Sequence, residues 1–208
     1  ASASVPVRLM GDVSGARVLD MCAAPGGKTA QLASAGAQVT ALDSSAARLK
    51  ILHENITRLG LVAHVDVQQG DALTYDPAKE FDFVLLDAPC SATGTLRRHP
   101  DILLHRSPDD VLRMTGLQTR LIARGLQYVR RGGRLIYAVC SLQTEEGEAH
   151  VARTLSAFPN VRALPPSVQD CPWAADWITS EGGVRILPTD QSKLGGMDGF
   201  YTVMFEKV

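Results

Sequence analysis

The sequence lacks several common signatures. Its four cysteines, Cys22, Cys90, Cys140 and Cys171, form no Cys-x-x-Cys pair and no cysteine–histidine cluster, so no zinc site is expected. No apolar run approaches the ~20 residues of a membrane span, so no membrane partner is expected. No segment reads as a secretory signal, and the expectation is a cytoplasmic protein with reduced thiols. An excess of one charge is also missing. The net charge of −1 means that any basic footprint for nucleic acid has to be local. There is no internal repeat or low-complexity tract. An initiator methionine is lacking too. The chain opens ASASVPVRLM, with Val5, Leu9 and Met10 as part of a helical apolar face, and is expected to be a fragment of a longer protein.

What is present is ordinary for a globular chain. Hydrophobic residues make up 45% and charged residues 21% of 208 positions, enough for one domain with a buried core. A single domain over residues 1–208 is therefore expected.

Strand-like and helix-like segments alternate. Residues 17–21 (RVLDM), 38–43 (QVTALD), 64–68, 81–87 (FDFVLLD), 134–140 (RLIYAVC), 161–164 and 200–206 (FYTVMFE) read as seven strands. The run at 81–87 is nearly all apolar, as a strand buried on both faces should be. Helices are expected over residues 28–35, over 45–59 with Gly60 as a stop, over 108–131 broken by Gly132-Gly133, and from a Thr144 cap through Leu155. Residues 165–196 read as loop. The alternation implies an α/β fold with a mostly parallel sheet.

Ligands of such sheets sit at the carboxyl ends of the strands, where strand order reverses. The first strand runs into DMCAAPGGKT, residues 20–29. This is nearly a phosphate-binding loop, but Cys22 stands where the first glycine belongs. The tight turn that starts a phosphate cradle is gone, and Asp20 adds negative charge beside it. Asp87 could otherwise pose as the magnesium-binding aspartate of a P-loop enzyme. Gly26 and Gly27 allow close backbone approach to a ligand. Asp43 closes the second strand, where an acid can accept both ribose hydroxyls of an adenosine, and Asp71 follows the third, near an adenine edge. Turn chemistry alone also favours Gly and Asp. The three successive strand ends together point to a nucleoside pocket.

Cys90 (in LLDAPCSATG) and Cys140 (in YAVCS) both follow strands, expected to be adjacent, at the same sheet edge. A single buried cysteine there would more often be filler. Two beside Asp87 fit a definite chemistry. Carbon 5 of a pyrimidine is a poor nucleophile. A thiolate adding to carbon 6 makes it electron-rich, a carboxyl near ring nitrogen 3 steadies the charge, and a second group must then remove the carbon-5 proton so that the first thiolate can leave.

These motifs, with the closing GGMDGFY, resemble the Sun (Nol/Nop/Sun) family of RNA cytosine-carbon-5 methyltransferases, and within it the bacterial group acting on small-subunit ribosomal RNA. The resemblance covers essentially the whole chain. It implies a Rossmann-like class I S-adenosylmethionine-dependent fold with a seven-stranded, mostly parallel sheet and helices on both faces. It implies that Cys22, Ala23, Ala24, Pro25, Gly26, Gly27 and Lys28 wrap the methionine part of S-adenosyl-L-methionine. Asp43 would take the ribose, Asp71 the adenine side, and Asp87 would lie between cofactor and base. Cys140 is the implied nucleophile and Cys90 the group assisting release. Lys28 is expected to pair with nearby carboxylates or to steady the cofactor, rather than to bind a γ-phosphate. The family usually has Thr before the nucleophile, where this chain has Val139. Cys140 also has no nearby base in sequence, so its activation has to come from the fold.

Arg97, Arg98 and His99 follow Cys90 closely, with Arg106 and Arg113 beyond. They read either as a solvated basic loop or as contacts to RNA phosphates. The RRGGR at residues 130–134 reads as a helix end and turn. A flipped or single-stranded base is implied by a deep thiol. The expected substrate is ribosomal RNA, probed by a monomer. Transfer RNA, or a ribosome-assembly module with little activity, stay open as alternatives.

Overall fold

The protein is described by a computed structural model covering residues 2–169 and 171–208. Helix α1 (Val5–Leu9) leads into β1 (Arg17–Asp20), α2 (Gly27–Ser34), β2 (Gln38–Asp43), α3 (Ala46–Arg58), β3 (Val65–Gln69) and β4 (Phe81–Asp87). Then come α4 (Ile102–His105), α5 (Pro108–Tyr128), β5 (Val129–Val139), α6 (Ala149–Ala157), β6 (Val161–Ala163), β7 (Val184–Ile186) and β8 (Phe200–Lys207). One sheet runs β3-β2-β1-β4-β5-β8-β6, with β7 also paired to β8. The first five of these are parallel, and β8 is antiparallel to β5, β6 and β7. No helix among the described residues is long and apolar enough to cross a membrane.

The pleat sorts the apolar strands onto two faces. Val18, Leu85 and Ile136 pack with Leu32 and Ala33 of α2 and Val7 of α1. Leu19, Val84, Leu86 and Leu135 pack with Leu121, Ile122 and Leu126 of α5. Leu85 and Leu86 are neighbours in sequence, face opposite layers and are both fully buried. Each is worth roughly 1.5–3 kcal/mol. A strand of this composition has no alternative to a position between two helical layers.

All seven expected strands are present, and β7 is an eighth. It lies in the stretch read as loop, because three residues (VRI) after Gly182-Gly183 carry no legible period. Two helices differ from expectation. Helix α5 stops at Tyr128, not at residue 131, and RRGGR belongs to β5. Arg130 meets Asp82 of β4 (Nε–Oδ1 2.7 Å) rather than a helix dipole. The register of β4 and β5 shifts between Phe81 and Phe83. Gly132 takes φ +71°, and a Cβ on Gly133 would lie 2.7 Å from the Asp82 carbonyl oxygen. The glycines therefore serve a bulge. Helix α6 starts at Ala149 with Glu148 as its N-cap. Thr144 opens a preceding turn, its carbonyl accepting from Ala149 N (3.0 Å).

Strand order reverses between β1 and β4. The loops after β1, β2, β3, β4 and β5 all open at the same edge of the sheet, and the candidate residues lie there.

Candidate active site

The glycine loop turns β1 into α2. Gly26 caps the helix at φ +99°, and a Cβ there would press to 2.9 Å from Leu52 Cγ. Its need for glycine comes from the turn and from packing on α3. Gly27, in contrast, has open space where a Cβ would sit. The Ala24–Pro25 peptide is cis. Asp43, at the end of β2, ties the loop down. Its Oδ2 accepts from Ala24 N (3.1 Å) and its Oδ1 from Ser45 N (3.0 Å). Each oxygen keeps acceptor capacity beyond these bonds.

Sequence reasoning passed over Arg48, which looked like a solvent-facing helix residue. Its guanidinium donates to Ala24 O and stands 3.5 Å from Asp43 Oδ2. Its position three residues after the Ser45 N-cap was the available signal. Asp71, exposed, accepts from Leu73 N (2.9 Å) and shapes the turn after β3.

A cleft of ≈ 380 Å³ opens between these loops. Cys22, Ala24, Asp43, Asp71, Asp87, Cys90 and Cys140 all line it, with Met21, Leu73, Leu117 and Leu121 as apolar wall. Ala23, Pro25, Gly27 and Lys28 instead line a second cavity of ≈ 350 Å³ on the other side of the loop, which shares Cys22, Ala24 and Asp87 with the first. Asp20 belongs to this second cavity and is wholly buried. Burial raises its carboxyl to about 7, against the opposing hydrogen bond from Thr29 Oγ1 (2.7 Å). Its Oδ1 has no partner.

Lys28 reaches across to Asp87, Nζ–Oδ2 2.6 Å, which bears out the carboxylate pairing expected for it. Its ammonium also lies 5.3 Å from the Phe200 ring centroid. The two thiols after β4 and β5 meet, Cys90 Sγ to Cys140 Sγ 3.5 Å. A hydrogen bond from Cys90 holds the Cys140 thiol below the usual range, against burial and the Asp87 charge, with Lys28 helping. Cys90 is pushed well up by that same bond, by burial and by the neighbouring Cys140. Cys22 is driven up to about 12, chiefly by burial and then by Asp20. Of the three thiols at the cleft, only Cys140 is shifted toward the thiolate.

Behind the thiols sits a buried polar cluster that sequence reasoning missed. Ser91 and Ser141, each directly after a cysteine, share the Glu146 carboxylate. The backbone joins the same loops to the last strand. Gly94 N donates to Cys140 O (2.9 Å), and Gly199 N donates to Gly94 O (2.8 Å).

The basic loop residues are not brought into the cleft. Arg97, Arg98 and His99 are exposed. Asp198 holds Arg98 through two nitrogens, the shortest contact being 2.6 Å, and lies 3.8 Å from Arg97. Arg106 donates to Ser91 O (3.2 Å), and Arg113 pairs with Asp110 on α5.

The family model for the 16S rRNA methyltransferase RsmB/F matches residues 8–206. Ribosomal RNA small subunit methyltransferase B of Vibrio cholerae is 36% identical over 212 residues, covering 100% of this chain and 45% of the relative. The protein of the same name from Serratia proteamaculans is 40% identical over 177 residues, covering 83% of this chain and 41% of its own length. The chain thus spans less than half the length of these relatives. Among solved structures, NSun6 from Pyrococcus horikoshii with SFG superposes with TM-score 0.84 at 29% identity, over 100% of this chain and 52% of that one. The chain belongs to the 16S rRNA methyltransferase RsmB/F family, a family of S-adenosylmethionine-dependent methyltransferases.

Proposed function

We propose that this chain carries the chemistry of methyl transfer from S-adenosylmethionine to carbon 5 of a cytosine in RNA, through a covalent adduct of Cys140 with carbon 6. Ribosomal RNA of the small subunit is the proposed substrate, on the printed names of the relatives. The observation that carries the reading is the thiol pair. Two cysteines from adjacent strand ends lie 3.5 Å apart on a cleft wall that also holds Asp87.

The residues of the cleft fit the cofactor. Asp43 has free acceptor capacity for a ribose diol, and Leu73, Leu117 and Leu121 offer an apolar surface for a base. The lining carries Asp43, Asp71 and Asp87 against Arg48. That balance suits a sulfonium and opposes a triphosphate. Bound there, S-adenosylmethionine supplies an electrophilic methyl group.

The chain's own groups account for the remaining steps. Cys140, held toward thiolate by the Cys90 S–H, attacks carbon 6 and forms a carbon–sulfur bond. The electron pair displaced from the 5,6 double bond moves toward carbon 5 and the ring. Asp87, as the carboxylic acid, donates its proton to nitrogen 3 as electron density builds there, and the Lys28 ammonium at 2.6 Å pairs with the carboxylate that remains. Once the Cys140 sulfur is bonded to carbon, Cys90 gives up its own proton to solvent. After carbon 5 is methylated the Cys90 thiolate takes the carbon-5 proton, the electron pair returns to the 5,6 bond, and the carbon–sulfur bond breaks to expel Cys140 as thiolate. Cys90 is placed to assist this release, being adjacent to the sulfur that leaves. A carboxylate or thiol at this depth reaches only an unstacked base.

The test uses labelled cofactor and small-subunit ribosomal RNA. Cys140→Ala is expected to abolish incorporation, and Cys90→Ala to leave a covalent protein–RNA adduct on a denaturing gel. Incorporation undiminished in Cys140→Ala would overturn the nucleophile assignment.

A further inference from the structure

We infer that Glu146 is a positioning residue that sets the separation of the two thiols by holding the residues that follow both of them on one carboxylate. The inference rests on the thiol-pair reading above and adds the group that makes the pair.

Glu146 is fully buried. Four donors converge on it. Oε1 accepts from Ser91 N (2.9 Å) and from Gln118 Nε2 (3.0 Å). Oε2 accepts from Ser91 Oγ and from Ser141 Oγ, each at 2.5 Å. The hydroxyls of Ser91 and Ser141 also lie 3.0 Å apart, and Thr93 Oγ1 lies 3.3 Å from each. Among the described residues no lysine, arginine or histidine forms an ion pair with Glu146. A buried carboxylate with four donors and no counter-charge is costly to desolvate. A core built for stability alone would do better with apolar groups.

What the arrangement supplies is register. Ser91 follows Cys90 on the loop from β4, and Ser141 follows Cys140 on the loop from β5. Both hydroxyls end on the same oxygen, so the two loops cannot drift apart without stretching a charge-assisted bond. Glu146 is itself fixed through its main-chain carbonyl and through its neighbours. Tyr137 Oη donates to Glu146 O (2.6 Å). Gln118 of α5 also donates to Pro89 O (2.9 Å), one residue before Cys90, and its Oε1 lies 3.1 Å from His150 Nε2. Arg185 of β7 donates to Ser141 O (2.6 Å) and pairs with Glu148 (2.6 Å). A thiol–thiol hydrogen bond is weak and steeply dependent on distance. Holding it therefore needs a rigid frame on each side, and Glu146 is the charged group that both frames share, with Thr93 Oγ1 beside it.

The test reads the thiols directly. Cys140 alkylation by iodoacetamide is followed against pH in the folded chain, by mass spectrometry of the peptide that contains it. Glu146→Gln keeps the shape and the Oε1 acceptor, but offers an amide to the two hydroxyls. Ser141→Ala keeps Glu146 and releases only the Cys140 loop. Both variants are expected to move the alkylation midpoint up by about one pH unit, so that alkylation at pH 7 slows about tenfold. Affinity for S-adenosylhomocysteine is expected to stay within about threefold, since the cofactor-side groups are untouched. Midpoints unchanged in both folded variants would overturn the inference. So would loss of the folded state in both, because Glu146 would then be a determinant of the fold. Wild-type chain that alkylates as described yet shows no methyl transfer would sink the functional reading and leave this one standing.

Discussion

The two halves of the site are built on opposite plans. The half on β1, β2 and β3 displays carboxylates into an open cleft. Asp43 and Asp71 spend part of their acceptor capacity on loop amides and keep the rest. The half on β4 and β5 hides its polar groups. Ser91, Ser141 and Glu146 are fully buried and satisfy one another, and the half offers the cleft Asp87, already paired with Lys28, and the two sulfurs. A surface that recognises a ligand needs unspent hydrogen-bonding capacity. A surface that holds a reactive atom in place needs none left over.

Substitutions can break this contrast from either side. The largest effect on methyl transfer is expected on the thiol half, from Gly94→Ala. The new Cβ would lie 2.1 Å from Gly199 O and 2.9 Å from Cys140 O, both backbone atoms that cannot swing away. A cost on the order of 3 kcal/mol is expected, with methyl transfer falling below detection in the labelled-cofactor assay while S-adenosylhomocysteine still binds the folded fraction.

Asp20 is the exception on the cofactor half, because it is buried like the thiol frame. Its carboxyl sits at about 7 when folded, against 3.8 as an ordinary aspartate. Folding thus favours the protonated form. The stability this group allows is fully present below about pH 4 and is lost as pH rises to about 7, by about 4 kcal/mol in all. Asp20→Asn should flatten that part of the curve in thermal melts from pH 4 to 8. A parent-like slope in the variant would remove Asp20 as the cause.

Smaller still is Asp43→Ala. Losing charge-assisted acceptors should weaken S-adenosylhomocysteine binding by roughly 2 kcal/mol, about thirtyfold, measured by calorimetry. The Cys140 alkylation profile should not move. If it does, the two halves are coupled and the contrast is less sharp than drawn.

Much of the display half was legible in sequence, because its residues fall at strand ends that apolar runs mark out. QVTALD became β2 with its expected bounds, so Asp43 followed. The meeting of Cys90 and Cys140 was likewise legible from two adjacent strands. The hidden half was not. Glu145, Glu146 and Glu148 look alike in TEEGE, in the first turn of the helix expected from Thr144. Only the fold exposes Glu145 and buries Glu146. Helix α5 was read too long because nothing before Gly132 breaks the pattern, while pairing with β4 already claims Val129. The pull of Asp198 on Arg97 and Arg98 spans about a hundred residues, and no local pattern carries it.

The amide relay from Gly199 through Gly94 to the Cys140 carbonyl has a consequence for protein engineering. Three segments distant in the chain interlock there through main-chain atoms, so no side-chain redesign can replace the joint. A transplant of either cysteine motif onto another Rossmann scaffold would have to carry the GMDG segment with it. Recombination between homologues should accordingly tolerate crossovers within the α2–α3 region and reject those that separate residues 90–94, 140 and 199 by parentage when their backbones differ.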